Sequence, residues 1–146
     1  MDIVQEAEDT LKTLLASSQG KKAVSVELSL ATLYQLRGDI KLSEQKVDEA
    51  LVDIKEALAI RQKYLGDHLL TARTYNSLGS ALQEKAVLDP GFVPLQIHSV
   101  KKEAMDCYRK ALDICQMTAG EGRLHVEEPT FLMNMGEEDI MPIGKQ

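Results

Sequence analysis

The side chains that could carry out chemistry are few, and their spacing argues against a catalytic or metal site. The histidines His68, His98 and His125 are widely separated, and none has the i, i+4 spacing and carboxylate neighbour of a helical zinc site. No glycine-rich phosphate-binding motif occurs in the sequence. The acidic run 137–139 could attract a cation, but such runs are typically solvated. We therefore expect no enzyme activity, no metal site and no cofactor.

The two cysteines, Cys107 and Cys115, fall within one predicted helix. At 1.5 Å of rise per residue they lie about 12 Å apart along its axis. A disulfide requires Cα atoms within about 7 Å, so this pair cannot form one within the helix. Free thiols suit a reducing compartment, and we expect a cytoplasmic protein.

Composition and charge exclude several classes of partner. The formal net charge is −6 and no basic stripe is visible, so we expect no nucleic-acid binding. No apolar stretch approaches the roughly 20 residues that span a bilayer, and the acidic start of the chain lacks the layout of a signal peptide. We expect no membrane association. Aromatic residues make up 4% of the sequence and tryptophan is absent, which favours a core of closely packed aliphatic helices.

Apolar residues recur at helical spacing along most of the chain and predict an all-α fold. Gly38-Asp39 is predicted to end the second helix, and Asp39 is a plausible N-cap for the third. Pro90, Gly91 and Pro94 interrupt the pattern further on. The first two predicted helices span residues 2–17 and 23–37. The third begins between residues 40 and 43 and ends at 65, and the fourth spans 71–86. The fifth runs from Ile97 or Ser99 to Met117, and a short sixth helix follows Pro129.

Small and large residues recur at matched positions in these helices. The doublets Leu30-Ala31 and Leu78-Gly79 are each followed by a large residue, Tyr34 or Leu82, at the same offset. Small residues allow two helices to cross closely, and a large residue fills the gap beside them. The partner helices carry Ala50, Ile54, Ala57-Leu58 and, at identical spacing, Ala104, Tyr108, Ala111-Leu112; Ala7, Leu11, Leu14-Leu15 fit the second half of an earlier pair and Met135-Gly136 the doublet of a later one.

This register resembles the tetratricopeptide repeat family. The resemblance implies an all-α, right-handed array of antiparallel helix pairs with five to six helices. The spacing between the doublets exceeds the family period of about 34 residues, so both repeats carry insertions. Residues 57–79 look most like the repeats of kinesin light chains. We predict a helical domain over residues 1–122 with a helix at 2–17 and repeats at 23–65 and 70–118, followed at 123–146 by a partial repeat or capping helix with an acidic tail.

The resemblance implies a non-catalytic adaptor or scaffold that binds a peptide or partner helix on the concave face. Arg73 could meet a carboxylate and Asn76 a peptide backbone. The apolar loop 87–97 is a possible contact segment, through Phe92 and Leu95, or a cover over the core. The alternative is a structural module that forms homo-oligomers through its apolar ends or its C-terminal segment. The predicted groove residues are Arg73, Asn76, Ser80 and Gln83 in one repeat and Leu28, Thr32 and Gln35 in the other; they lack the lysine of chaperone-tail binders.

Overall fold

The computed structural model describes residues 2–89 and 91–119, and these residues form helices without a strand. The chain divides into two compact units, Met1–Gly66 and Asp67–Gln146. The predicted all-α class is confirmed. The sixth helix, the 123–146 segment, Met135-Gly136, His125 and the acidic run lie outside the described residues. The helices are α1 (Ile3–Ala16), α2 (Gly20–Ser43), α3 (Val47–Leu65), α4 (Leu69–Leu88) and α5 (Pro94–Ala119).

The prediction that Gly38-Asp39 ends the second helix is wrong, because Gly38 lies inside α2. A Cβ atom at Gly38 would lie 2.7 Å from Cγ1 of Ile54 and 3.3 Å from the carbonyl oxygen of Ala50. A glycine inside a helix costs about 1 kcal/mol relative to alanine. The close approach of α3 offsets this cost, so this glycine marks a helix crossing rather than a helix end.

Helix α2 ends instead at Ser43, in a turn that satisfies its last carbonyl groups. Gln45 adopts a positive φ of 62°, and the N–H of Lys46 donates to the carbonyl of Lys41 at 2.9 Å. This pattern is a Schellman motif. Asp39 is therefore not the N-cap of α3, which begins at Val47. The inserted residues of the first repeat lengthen α2.

The predicted contact loop is also shorter than expected. Val87 and Leu88 belong to α4, and α5 begins at Pro94. Proline suits the first turn of a helix because the first N–H groups have no partner within the helix. The N–H of Val93 donates to Oε1 of Gln96 at 3.0 Å, which is half of a capping box. The connection is thus confined to residues 89–93.

Each unit has its own apolar core. In the first unit, α2 packs against both α1 and α3; in the second, α4 packs against α5. Within the described residues, no helix combines the length and apolar character needed to cross a bilayer. The first core joins Leu30, Ala31, Tyr34 and Ala57 with the flanking Leu11, Leu15 and Ile60; the second contains Ala72, Ala111, Ile114 and Cys115 with Leu69 and Tyr75, and a smaller cluster contains Tyr108, Leu112 and Met105.

Candidate protein-interaction surfaces

The predicted packing of a small residue against a large one is present where α4 crosses α5. A Cβ at Gly79 would lie 2.5 Å from Cε1 and 2.9 Å from Cζ of Tyr108. The Tyr108 side chain is fully buried, so it occupies the space that the missing Cβ leaves. Gly79 and Tyr108 are the two positions at which the sequence pattern predicted this fit.

Two of the predicted groove residues in α4 contact this tyrosine. The Tyr108 hydroxyl donates to Oε1 of Gln83 at 2.7 Å and lies 3.3 Å from Oγ of Ser80. Burial raises the pKa of Tyr108 to about 12, although the contact with Ser80 acts in the opposite direction. Ser80 and Gln83 therefore help to hold the helix pair together. Arg73 is exposed and Asn76 is half-buried on the same helix.

The predicted row on α2 is divided between the surface and the interior. Thr32 is exposed and Leu28 half-buried, but Gln35 is only 4% exposed. Nε2 of Gln35 donates to Asp39 at 3.1 Å, and Nη1 of the buried Arg61 donates to Oε1 of Gln35 at 3.4 Å. Gln35 thus belongs to a buried polar cluster, and its exposure is too small for direct ligand contact without rearrangement.

Sequence reasoning missed two exposed aliphatic residues on α2. Leu36 is 52% exposed and Ile40 is 41% exposed. They continue the line of exposed hydroxyl residues along one side of the helix at spacings of three and four residues. The predicted helix end at Gly38 concealed this signal, because it placed Ile40 outside the helix. We call this line the α2 stripe; it comprises Ser25, Ser29, Thr32, Leu36 and Ile40.

The turn between α4 and α5 exposes several apolar side chains. Leu95 is 78% exposed, Val87 is 76% and Val93 is 54%. Phe92 is half-buried, and Nζ of Lys85 lies 5.5 Å from the centre of its ring. Of the two predicted contact residues, Leu95 is therefore open to solvent, whereas Phe92 is partly covered.

An ionic network, also missed at the sequence level, joins the three helices of the first unit. The Arg37 guanidinium on α2 donates to both oxygens of Asp53 on α3, at 2.8 and 2.9 Å. It also donates to Glu8 on α1. Asp53 is 2% exposed and Glu8 is 6% exposed. We call these three residues the Arg37 network; their partners are far apart in sequence, so no local spacing reveals them.

Two lysines and a tyrosine complete the shell around these carboxylates. Lys12 lies 2.7 Å from Glu8 and Lys41 lies 3.0 Å from Asp53. The Tyr34 hydroxyl donates to Glu8 at 3.2 Å. Burial alone would raise the pKa of Glu8, but hydrogen bonds from Lys12 and Arg37 outweigh it and lower that pKa. The cluster of three cations and two carboxylates fastens α1 and α3 to α2. In the described residues no group of side chains suits a metal ion.

The fold and these surfaces define a protein of antiparallel helix pairs with small-against-large crossings. Residues 28–86, which run from α2 into α4, match the tetratricopeptide repeat family. Members of this family generally act as protein–protein interaction modules and are typically non-catalytic. No curated protein matches the chain. The likeness of residues 57–79 to kinesin light chains is not confirmed by the match.

Proposed function

We propose that this chain is a non-catalytic protein-interaction module that binds a peptide or a partner helix on the first helix of each pair, α2 and α4. The supporting observation is the α2 stripe, where the exposed hydroxyl residues Ser25, Ser29 and Thr32 are followed by the aliphatic Leu36 and Ile40. Such a surface offers hydrogen bonds to a main chain and apolar anchors to side chains. Arg73 is exposed on α4 and would recognise a carboxylate of the ligand.

The test begins with a displayed peptide library selected on the intact chain. Affinities of the selected peptides are then measured by fluorescence anisotropy. We expect the double substitution Arg73→Ala/Asn76→Ala and the substitution Leu36→Ser each to weaken binding by about tenfold, the effect of losing an important contact. The proposal would be overturned if both variants bound as well as the original chain.

Matched controls come from the second helix of each pair. Arg109 on α5 and Val52 on α3 are also exposed. Arg109→Ala removes the same charge as Arg73→Ala, and Val52→Ser removes a similar apolar surface to Leu36→Ser. Both controls should leave the affinity unchanged, whereas equal losses in controls and test variants would contradict the assignment to α2 and α4. Circular dichroism melting verifies that every variant is folded.

The exposed turn between α4 and α5 supports a second candidate, a module that self-associates through an apolar end. Val87, Val93 and Leu95 are all more than half exposed, and exposed apolar clusters often mark contact surfaces. Sedimentation velocity over a range of concentrations tests this candidate. Self-association that Leu95→Ser abolishes would support it, and a monomer at every concentration would exclude it.

A further inference from the structure

Helix α1 is attached to the first unit by a different kind of contact from the one that joins α2 and α3. Within α1, every residue of which the structure describes, Glu8 is the one residue that is buried. Helix α3 buries seven residues, and five of them are apolar. The most deeply covered group of α1 is therefore a carboxylate, whereas most of the covered groups of α3 belong to an apolar core.

The apolar contacts of α1 with the first unit are smaller than those of α3. Leu11 and Leu15 pack beside the core, but both are only half-buried. Each therefore gains less from docking than Ile54 or Ala57 of α3, which are 0% exposed. Helix α1 has 14 residues, and an isolated helix of about 12–15 residues is marginal in water. Once separated from α2, α1 would therefore also lose its helical structure.

The Arg37 guanidinium divides its N–H groups between the two neighbouring helices. Nε and Nη2 donate to the two oxygens of Asp53 on α3, whereas Nη1 donates to Glu8 on α1. The two-bond contact with Asp53 fixes the plane of the guanidinium. This contact does not involve α1, so the connection between α2 and α3 can persist after Glu8 has left.

Separation of α1 leaves no member of the Arg37 network buried without an opposite charge. Glu8 would carry with it Lys12, which lies 2.7 Å away on the same helix, and would become hydrated. Arg37 would retain Asp53, which also retains Lys41 at 3.0 Å. Breaking a buried ion pair is costly when a charge stays buried alone. Here the separated carboxylate reaches water, so that cost is avoided.

The connection between α1 and α2 permits this separation. It consists of residues 17–19, and the N-cap Gln19 makes no side-chain hydrogen bond to α2. Gly20 begins α2 with a φ of 59°, a conformation that glycine adopts without strain. A Cβ atom at this position would meet no atom within 4 Å. The direction of the chain can therefore change at residues 17–20 without the loss of a buried contact.

We propose that α1 is a separable arm, which detaches from α2 ahead of the unfolding of α2 and α3 when the charge of Glu8 is screened or removed. Glu8 faces Lys12 on its own helix and Tyr34 and Arg37 on α2. Detachment uncovers the part of the first core on which the α1 leucines now pack. The arm thereby controls access to an apolar side of α2 that is separate from the α2 stripe.

Hydrogen–deuterium exchange of the full chain at neutral pH tests the proposal. We expect the central amides of α1 to exchange at least about tenfold faster than those of α3, after correction for intrinsic rates, because local opening requires less free energy than unfolding of the unit. Raising the NaCl concentration from about 0.05 to about 1 M should accelerate exchange in α1 by about threefold and leave α3 unchanged. Equal rates in the two helices, or no response of α1 to salt, would overturn the proposal.

The substitution Glu8→Gln removes the charge and keeps a similar shape. It should accelerate exchange in α1 by about a further tenfold and abolish the response to salt, while exchange in α3 stays the same. The matched control Glu6→Gln makes the same change at an exposed position of α1 and should leave both the rate and the salt response nearly unchanged. Equal effects of the two substitutions would show that Glu8 does not control the arm.

The substitution Leu15→Ala separates control by charge from general loosening of α1. It should also accelerate exchange in α1, because apolar contact is lost, but the response to salt should remain since Glu8 is intact. Loss of that response in Leu15→Ala would contradict the role of Glu8. Faster exchange in α3 than in the original chain, as large as that in α1, would show for Glu8→Gln that α1 is not separable. These measurements use no ligand, so they are independent of the binding assigned to α2 and α4.

Discussion

The two helix pairs solve the same packing problem with different chemistry. In the first pair, Gly38 meets Ile54, and Arg37 beside the crossing binds the carboxylates of Asp53 and Glu8. In the second, a glycine meets Tyr108, whose hydroxyl donates to a neutral amide oxygen. A shared register therefore fixes where helices approach but leaves the polar groups around the crossing free to differ. The first pair depends on ion pairs and the second on an aromatic ring.

The largest expected effect comes from removing that ring. Tyr108→Ala should lower the free energy of unfolding by about 3–5 kcal/mol, the usual cost of emptying a buried aromatic site. Tyr108→Phe keeps the ring and should cost only about 1 kcal/mol, for the hydrogen bond to Gln83. Urea denaturation measures both, and similar losses for the two variants would show that the hydroxyl rather than the ring holds the pair.

In the first pair, the substitution that corresponds to Tyr108→Ala is Arg37→Met, which removes the guanidinium of the Arg37 network. This substitution leaves two buried carboxylates with their lysine neighbours and, at Glu8, the Tyr34 hydroxyl. We expect a loss of about 2 kcal/mol, below the range for fully isolated buried charges. Arg73→Met on the exposed side of α4 is the control and should change stability by less than about 0.5 kcal/mol. Equal effects in urea denaturation would mean that the Arg37 network contributes little.

The smallest expected effects are changes in stability with pH, since stability is lost at acid pH through Glu8 and at alkaline pH through Tyr108. Because the folded state lowers the pKa of Glu8, its contribution to stability is present above the ordinary glutamate pKa of about 4.3 and is lost as the pH falls through the folded value. Because burial raises the pKa of Tyr108 to about 12, its contribution is lost as the pH rises above about 10, by about 1 kcal/mol at pH 11.

Denaturation midpoints of the variants across the pH range separate these contributions. Glu8→Gln should reduce the acid-dependent loss, and Tyr108→Phe should reduce the alkaline loss. Tyr34 also has a raised pKa, through burial and the nearby Glu8, so some alkaline dependence should remain in Tyr108→Phe. An unchanged acid response in Glu8→Gln would place the acid sensitivity at groups other than Glu8.

Local patterns in the sequence were sufficient for the helical class and for the pairing register. Helix formation depends on the spacing of apolar side chains within a few turns, so such patterns are visible in one segment. The position of Gly79 opposite a large residue also followed from spacing alone. Helix ends were harder to predict from local patterns. Glycine is typical of helix ends, but contact with another helix compensates for the low helix propensity of Gly38.

The candidate sites were less predictable than the fold. Spacing placed Gln35 and Thr32 in one row, but the buried Arg61, from a later helix, draws Gln35 into the interior. The same spacing, continued past Gly38, reaches Asp39, so the exposed Leu36 and Ile40 lie beside the predicted row and not in it. The exposure of a polar side chain depends on neighbours from distant segments, which one helical pattern does not contain.

Spacing along a single helix is enough to predict that this chain forms helix pairs with small residues against large ones. Which charges share a site depends on how the helices pack together in three dimensions. The tertiary structure placed Glu8 and Asp53 on either side of Arg37, where each carboxylate is buried by segments remote in sequence. It also showed that α1 presents the same register as α3 with less coverage, because coverage depends on a neighbouring helix and not on the helix itself.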